Sequence, residues 1–371
     1  MISANDFQRQ WADTEPDLSR AFQRVMASGW YILGAEVRRF EETLTEFWGL
    51  HHAIGVASGL DAIEIALRAL GVQPGDKVLT TPLSAFATTL AIVKLGAVPV
   101  FVDTDAHGLI DLALARRRLS DPGGIRFFVP VHLYGHCCDL VELARLREEF
   151  SLGVVEDCAQ SIGASFRGAA SGSVGQFAAT SFYPTKNLGA IGDGGAILTS
   201  DATLDASVRV LRDYGQTSKY RHGAIGYNSR LDELQAALMH DAFLPRLSGW
   251  IARRRAIASR YFERIRNPAI RCLGAPAGSD SSWHLFPVLV DADRKPAFLE
   301  YLKSNAVGAG EHYPVVIPDQ HALDGVPHEI VGALDNARRI AHGEVSLPIH
   351  PYLRDDEVAA VIDVCNRWTG R

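Results

Sequence analysis

A single lysine, Lys186, lies in the aromatic and glycine-rich stretch SFYPTKNLGAIGDGG, which covers residues 181–195. A lysine on a turn after a strand is most often a solvated surface charge. The neighbours of Lys186 are small or aromatic, however, and burial lowers the pKa of an ammonium group, as a Schiff-base lysine requires. The glycines that follow permit close approach of the backbone to a ligand. Lys186 is therefore a candidate for imine chemistry.

Three other short stretches carry residues suited to ligand contacts, although none of them specifies a ligand alone. Ser58-Gly59 precede a helix-like segment whose free amides favour an anion, but a serine in this position is more often an ordinary helix cap. Glu156-Asp157 end a buried-type strand, at the edge where open α/β sheets bind ligands; an acid there is as often a cap or a salt-bridge partner. Asn228 comes just before a long helix and can equally form a simple turn.

Together with Lys186, these features match the requirements of pyridoxal phosphate. That cofactor needs a phosphate cradle, an acid on its pyridine nitrogen and a lysine on its aldehyde. Other signatures fail, because GAIGDGG does not fit GxGxxG, GxxxxGK[ST] does not occur, and Tyr183 stands three rather than four residues before Lys186. The histidines are scattered and the cysteines lack CxxC spacing, so we expect no metal site.

The elements that must position these residues follow an alternating pattern. From residue 52 onward, strand-like runs such as HAIGVAS, KVLTTP, VPVFVD and LGVVED alternate with helix-like segments, for example Leu60 to Leu70. Such alternation predicts an α/β fold with a mostly parallel sheet covered by helices. The segment from Ser229 reads as a helix broken near Pro245, a plausible connector between domains.

We therefore expect two domains. A large α/β domain with its N-terminal segment would cover residues 1–245, and a small C-terminal α+β domain would cover 246–371. The small domain has a strand-like WHLFPVLV, a helix near 295–304 and a last helix from about Asp355 to Trp368.

Composition favours a small-molecule partner. The 371 residues are 47% hydrophobic and carry a net charge of −6, which gives no basic surface for nucleic acid or an acidic membrane. Five scattered cysteines suit reduced thiols, the N-terminus lacks signal-peptide character, and no apolar run reaches about 18 residues. These observations predict a cytoplasmic protein without a membrane span.

The chain closely resembles the DegT/DnrJ/EryC1/StrS family of nucleotide-sugar aminotransferases over essentially its whole length. The most specific stretches are SFYPTKNLGAIGDGG and GYNSRLDELQAAL, supported by VASGLDAIEIAL and VVEDCAQSIGA. The resemblance implies the fold-type I, aspartate aminotransferase-like architecture, pyridoxal 5′-phosphate as cofactor, and an obligate homodimer with shared active sites.

The resemblance also implies roles for individual residues. Lys186 would form the imine with the cofactor and move protons, and Asp157 would keep the pyridine nitrogen protonated. Around the cofactor, Gln160 would lie near the 3-hydroxyl, and Ser58-Gly59 with Ser181 would bind the phosphate. Phe86 would stack on the pyridine ring, and Asn228 would reach the phosphate from the neighbouring subunit.

A further pair and two departures complete the comparison with the family pattern. His312 and Tyr313 lie in the segment that comes near the substrate, but a packed His-Tyr pair on a strand is an equal alternative. Leu60 stands where the family commonly has a threonine, and Ser84-Ala85 stand where it often has His-Thr.

The implied reaction moves an amino group from L-glutamate to a nucleotide-linked keto sugar. SGWYILG and EHYPVVIPDQ look more like members that aminate C3 of a dTDP-keto-6-deoxyhexose than those that aminate C4. A sugar dehydratase of the same fold is the nearest rival, though it typically has histidine in place of Lys186. A transcription regulator would need an extra DNA-binding domain of about 60–70 residues, for which there is no room before residue 30. A scaffold that binds the cofactor without turnover remains a further alternative.

Overall fold

The computed structural model describes residues 1–370. The α-helices are α1 (Phe7–Ser28), α2 (Ala35–Trp48), α3 (Gly59–Ala69), α4 (Phe86–Lys94), α5 (Leu112–Ser120), α6 (Leu140–Glu149), α7 (Ala202–Arg212), α8 (Glu233–Leu238), α9 (Leu244–Arg264), α10 (Lys295–Ser304), α11 (Asp335–Gly343) and α12 (Asp355–Arg367). The first nine strands are β1 (His52–Val56), β2 (Lys77–Thr80), β3 (Val98–Val102), β4 (Phe127–Val129), β5 (Gly153–Asp157), β6 (Ser165–Phe166), β7 (Ala169–Ala170), β8 (Phe177–Ser181) and β9 (Gly195–Thr199). They are followed by β10 (Gln216–Ser218), β11 (Arg221–His222), β12 (Arg271–Cys272), β13 (Ser279–Asp280), β14 (Phe286–Leu289), β15 (Glu329–Val331) and β16 (Glu344–Leu347).

The large sheet has eight strands in the order β1-β9-β8-β5-β4-β2-β3-β15. All pairs from β8 to β15 are parallel, and β9 runs antiparallel to both of its neighbours. Its inner strands are almost entirely buried, as expected for strands covered by helices on both faces. The α/β fold with a mostly parallel sheet, as the sequence predicted, is confirmed.

One edge of this sheet gathers the carboxyl ends of seven strands, five of which lie next to candidate site residues. Because β1 and β8 both pair antiparallel with β9, they run in the same direction as the parallel strands. The carboxyl ends of β1, β2, β4, β5 and β8 therefore lie along one edge, where ligands bind in open α/β sheets. These strands end at Val56, Thr80, Val129, Asp157 and Ser181.

The C-terminal part has an apolar core of its own. Strands β12, β14 and β16 form a three-stranded antiparallel sheet packed with α9, α10 and α12, whose buried side chains include Tyr261, Phe286 and Phe298. The segment before β16 returns to the large sheet, where β15 pairs with β3 and Ala337 and Ile340 join its core. The division into domains at residue 245 stays a prediction.

Two features differ from the sequence-based expectations. The break near Pro245 is absent, because helical residues continue from Glu233 to Arg264 through a π turn at Met239–Phe243. Pro245 directly follows this π turn, so the continuous helix accommodates the missing N–H of the proline in a wider turn instead of a break. The sequence also assigned no element before residue 52, whereas α1 and α2 occupy most of that segment and pack against α8.

Two smaller findings concern helices and thiols. Among residues 1–370, no helix is both long and apolar enough to cross a membrane. All five cysteines have free thiols, and four of them are buried.

Candidate active site

A glycine-dependent turn joins the ends of β1 and β8 to the start of α3. A Cβ on Gly59 would lie 2.6 Å from the Cβ of Ser181, and a Cβ on Gly195 would lie 2.5 Å from the carbonyl carbon of Ser58. The Ser58 Oγ accepts from the backbone N–H of Asp61 at 3.1 Å, so the predicted cap is present. Anion binding here would therefore use the free amides at the start of α3 and the Ser181 hydroxyl.

Gly59→Ala is expected to lower stability by about 1–3 kcal/mol, because its Cβ would overlap Ser181 in a closely packed turn. Cofactor affinity should fall with it, since the same turn forms the proposed phosphate cradle. Thermal melting and the fraction of cofactor retained after dialysis measure the two effects. The matched control is Gly249→Ala in α9, where a Cβ meets no atom within 4 Å. This control should stabilise the helix by about 0.5–1 kcal/mol. Equal behaviour of the two variants would contradict the role of the turn.

Asp157 lies buried at the end of β5 with its carboxylate fixed on both oxygens. Oδ1 accepts from the backbone N–H of Ala159 at 3.0 Å, and Oδ2 accepts from the Thr88 hydroxyl at 2.8 Å. Ser84, one of the two departures from the family pattern, lies 2.9 Å from Thr88 and so extends this network. Burial raises the pKa of Asp157, while the two hydrogen bonds and the charge of Lys186 favour the ionised form. The carboxylate is thus held in one orientation toward the site.

The neighbouring Glu156 has a different function, because successive strand residues point to opposite faces. Its carboxylate accepts from the backbone N–H groups of Gly172, Val174 and Gly175 at 2.9, 2.7 and 2.6 Å. It also lies 2.7 Å from Nε2 of the buried His132. Glu156 therefore stabilises the fold, while Asp157 faces the site.

Lys186 follows β8 on a turn in which its backbone N–H donates to the carbonyl of Tyr183 at 2.8 Å. Its side chain is half-buried. Desolvation lowers the pKa of Lys186 to about 8, and the negative charge of Asp157 opposes this shift. About half of the amine is therefore neutral near pH 8, which is the form that attacks a carbonyl carbon.

Acylation of Lys186 in the cofactor-free protein should reach half of its maximal rate near pH 8 and rise as the pH increases. Peptide mapping by mass spectrometry measures the rate, with the exposed Lys303 as internal reference. Asp157→Asn should move the Lys186 midpoint to lower pH, because the charge that favours the ammonium form is gone. A midpoint near the ordinary lysine value of about 10.4 would contradict this assignment.

Gln160, which follows Asp157 at the carboxyl edge of the sheet, connects this edge to the segment around residue 312. Its Oε1 accepts from the backbone N–H of Tyr134 at 2.7 Å, and its Nε2 donates to the Tyr313 hydroxyl at 3.2 Å. The Tyr134 hydroxyl in turn donates to the carbonyl of His312 at 2.7 Å. The fold therefore brings Gln160, His312 and Tyr313 together. Burial and the nearby negative charge of Asp157 raise the pKa of Tyr313, so its hydroxyl stays protonated.

His312 is held from two sides and does not lie on a strand. Its Nδ1 lies 2.9 Å from the Ser346 hydroxyl, and its backbone N–H donates to Glu344 at 2.6 Å. Burial, with the charge of Lys186, lowers the pKa of His312 to about 4, so the ring is neutral near pH 7. Burial also raises the pKa of Glu344 to about 8. His312 thus offers the site a neutral ring close to Lys186.

Phe86 and Asn228 occupy less enclosed positions. Phe86 is half-buried at the first residue of α4, the helix that also carries Thr88, and packs against the buried Phe101 and Ile317. Asn228 is exposed, and its side chain makes no hydrogen bond with residues 1–370. The adjacent Ser229 does contact the turn around Ser58-Gly59, which is the proposed phosphate turn, because its hydroxyl accepts from the Ala57 N–H at 3.0 Å. A single chain therefore places Phe86 on the helix that carries Thr88, the partner of Asp157, but leaves Asn228 exposed.

Several residues of this network were missed from the sequence. Each of them carries a hydroxyl or a carboxyl group in an otherwise apolar stretch, and no regular spacing in the sequence connects them: Thr88, Tyr134, Glu344 and Ser346. The available signal was that buried polar side chains need partners, which applies to Thr88 in the apolar helix α4.

The arrangement fits pyridoxal phosphate. Gly59 and Gly195 keep the phosphate turn free of side-chain atoms, Asp157 is a buried carboxylate suited to a pyridinium nitrogen, and Lys186 is a partly neutral amine suited to an aldehyde. When bound, the cofactor supplies an electron sink at the substrate carbon.

Comparison with known proteins identifies the family of this chain. The model of the DegT/DnrJ/EryC1/StrS aminotransferase family matches residues 13–366. The chain is 38% identical to a dTDP-3-amino-3,4,6-trideoxy-alpha-D-glucose transaminase of Streptomyces venezuelae, over 99% of this chain and 96% of that protein. It is 39% identical to a dTDP-3-amino-3,6-dideoxy-alpha-D-galactopyranose transaminase of Aneurinibacillus thermoaerophilus, over 95% and 96%.

A solved structure extends the agreement to three dimensions. The crystal structure of DesV from S. venezuelae, in complex with a ketimine intermediate, matches with a TM-score of 0.94 at 37% identity. The match covers 100% of this chain and 99% of that one. Sequence and fold therefore agree, and this chain belongs to the DegT/DnrJ/EryC1/StrS aminotransferase family.

Proposed function

We propose that this pyridoxal phosphate-dependent aminotransferase moves the amino group of L-glutamate to C3 of a dTDP-linked keto-6-deoxyhexose. The observation that carries the proposal is the placement of Lys186 and Asp157 together at the carboxyl edge of the sheet. Both transaminases described above are named for 3-amino sugars on dTDP, which supports the position and the nucleotide.

Two side chains of this site do the main chemical work. The Lys186 amine, with its pKa lowered to about 8, takes a proton from the donor carbon and returns one to the acceptor carbon. The buried Asp157 carboxylate would hold the pyridine nitrogen of the bound cofactor in its protonated form, and the cofactor would then stabilise negative charge that develops at the reacting carbon. Because the donor product leaves before the sugar reacts, we expect ping-pong kinetics.

Product analysis tests the proposal directly. The purified, cofactor-loaded protein is incubated with L-glutamate and dTDP-linked 3-keto and 4-keto sugars, and the products are identified by mass and NMR. We expect an amine at C3. Amination only at C4 would refute the position, and loss of a hydroxyl group without amine transfer would favour the sugar dehydratase alternative.

We further propose that two copies of the chain share their active sites in a cytoplasmic homodimer. Asn228 is exposed, and the segment around it carries large apolar side chains that are open in the single chain: Tyr220 and Ile225 are each 82% exposed. A second copy seated here would cover these side chains and carry Asn228 to the other phosphate turn. The free thiols support a reducing compartment.

Mixing inactive variants tests the shared site. Lys186→Ala and Asn228→Ala are each purified, then unfolded and refolded together so that the subunits exchange. If each site uses Lys186 of one copy and Asn228 of the other, random pairing should restore about a quarter of wild-type activity. Activity no higher than the average of the separate variants would contradict site sharing.

A further inference from the structure

Three consecutive arginines in α9 have different environments. Arg254 is only 5% exposed, because the spacing Leu247, Ile251, Arg254 places it on the buried face of the helix. Arg253 pairs with Asp355, and Arg255 makes an ion pair at the surface as well. Arg254 has no carboxylate partner within residues 1–370.

The hydrogen bonding of Arg254 is incomplete. Its Nη1 lies 3.3 Å from the carbonyl oxygens of Trp283, His284 and Ile349, which are long contacts. Nε is buried without a partner, and Nη2 donates to none of the residues in the described part of the chain. Nε and Nη2 form the edge of a guanidinium that binds a carboxylate through two parallel hydrogen bonds. This edge of Arg254 is free.

Arg254 also lies where two cavities meet. One cavity of about 230 Å³ is lined by Arg254 together with Thr185, His284, His312 and Ser346. The other, of about 20 Å³, is lined by Arg254 together with Lys186 and Asp6. Lys186 is close enough to His284 and His312 for its charge to act on both, because that charge adds to burial in lowering their pKa values. The space between Arg254 and Lys186 is therefore lined by two cations and by one carboxylate, Asp6, which is itself paired with Arg9, and neutral histidines lie along its wall.

The buried positive charge of Arg254 favours binding of an anion. A buried guanidinium without a carboxylate is destabilising, and burial lowers the pKa of Arg254 to about 9. A bound carboxylate would satisfy the free edge and the charge together. The cavity is smaller than the roughly 300–1,000 Å³ of pockets for drug-sized ligands, which favours an amino acid over a nucleotide.

We propose that Arg254 binds a carboxylate of the amino-acid donor and thereby places the donor amine beside Lys186. This inference rests on the proposed function, since it takes a dicarboxylic amino acid as the donor. It makes Arg254 a specificity residue for the first half of the reaction. The alternative is a purely structural role, in which Arg254 only connects α9 to the loops that carry Trp283 and Ile349.

Binding of glutarate, a dicarboxylate without an amine, separates these possibilities. Calorimetric titration of the holoenzyme should show about 10- to 100-fold weaker glutarate binding in Arg254→Lys, because a bidentate charged contact is lost. The matched control Arg253→Lys should bind glutarate as the wild type does. Binding of dTDP should be unchanged in both variants. Wild-type affinity for glutarate in a folded Arg254→Lys protein would overturn the proposal, and so would a loss confined to dTDP, which would assign the site to a diphosphate.

A second measurement needs no variant. Phenylglyoxal modifies arginine, and peptide mapping of the wild-type holoenzyme reports the modification of Arg254 alone. Glutarate should protect Arg254 and dTDP should not; modification that glutarate leaves unchanged would overturn the proposal even if Arg254→Lys fails to fold. Neither measurement needs turnover. A failure here therefore leaves the product assay intact, and a failure of that assay leaves carboxylate binding measurable.

Discussion

Lys186→Ala is expected to slow glutamate-dependent amination by at least about 10³-fold, because the chain loses both its imine-forming amine and its acid-base group at the reacting carbon. Lys186 is the one lysine among the residues that line the two cavities at Arg254. The first half of the reaction is followed through the visible absorbance change that L-glutamate produces in the cofactor-loaded protein.

The control for this variant is Lys303→Ala, which removes an exposed lysine from the last turn of α10. Its rate should equal that of the wild type. Cofactor retained after dialysis must also be measured, because a slow variant that has lost the cofactor says nothing about proton transfer. A cofactor-loaded Lys186→Ala protein with an unchanged glutamate half-reaction would remove Lys186 from the assigned role.

Asp157→Asn should reduce the rate by about 10²- to 10⁴-fold while leaving the fold intact. Asparagine keeps the shape and can still accept from Ala159, but it carries no charge to hold the ring nitrogen protonated. Stability should not fall near pH 7. The raised pKa of Asp157 means that the ionised carboxylate destabilises the native state above the ordinary pKa, and the substitution removes this effect.

Glu156→Gln is the matched comparison, one residue earlier on the same strand. Its buried carboxylate accepts three backbone N–H bonds and contacts His132, so its loss should lower stability by about 3 kcal/mol or more. The rate per folded molecule should stay near that of the wild type. Denaturant unfolding and the glutamate half-reaction separate the two effects. Equal losses of rate in both variants would contradict the division of roles between the two acids.

Local pattern was sufficient for the frame of the site. The strand preceding Asp157 and the helix after Ser58 were predicted to within a residue or two, because burial on both faces makes strands apolar and a helix buries one stripe. The roles of Lys186, Asp157 and the phosphate residues came from the family resemblance, and they stay predictions until variants are measured.

Long-range pairing was not visible in the sequence. Gln160 and Tyr313 are brought together by the packing of two distant segments, which no local spacing encodes. Arg254 was detectable in principle, because it is the one arginine of three that continues the apolar stripe of Leu247 and Ile251. The break expected at Pro245 was wrong because the helix accommodates the proline through the π turn at Met239–Phe243 and continues.

Strand β15 couples the unfolding of the C-terminal part to that of the large sheet. Its three residues belong to the C-terminal third of the sequence, yet they cover the outer edge of β3 in the large sheet. Removing the C-terminal part would expose β3 as an unpaired edge, ready to associate with another chain. Unfolding should therefore be cooperative across both parts, and a fragment that ends near residue 245 should aggregate instead of folding alone.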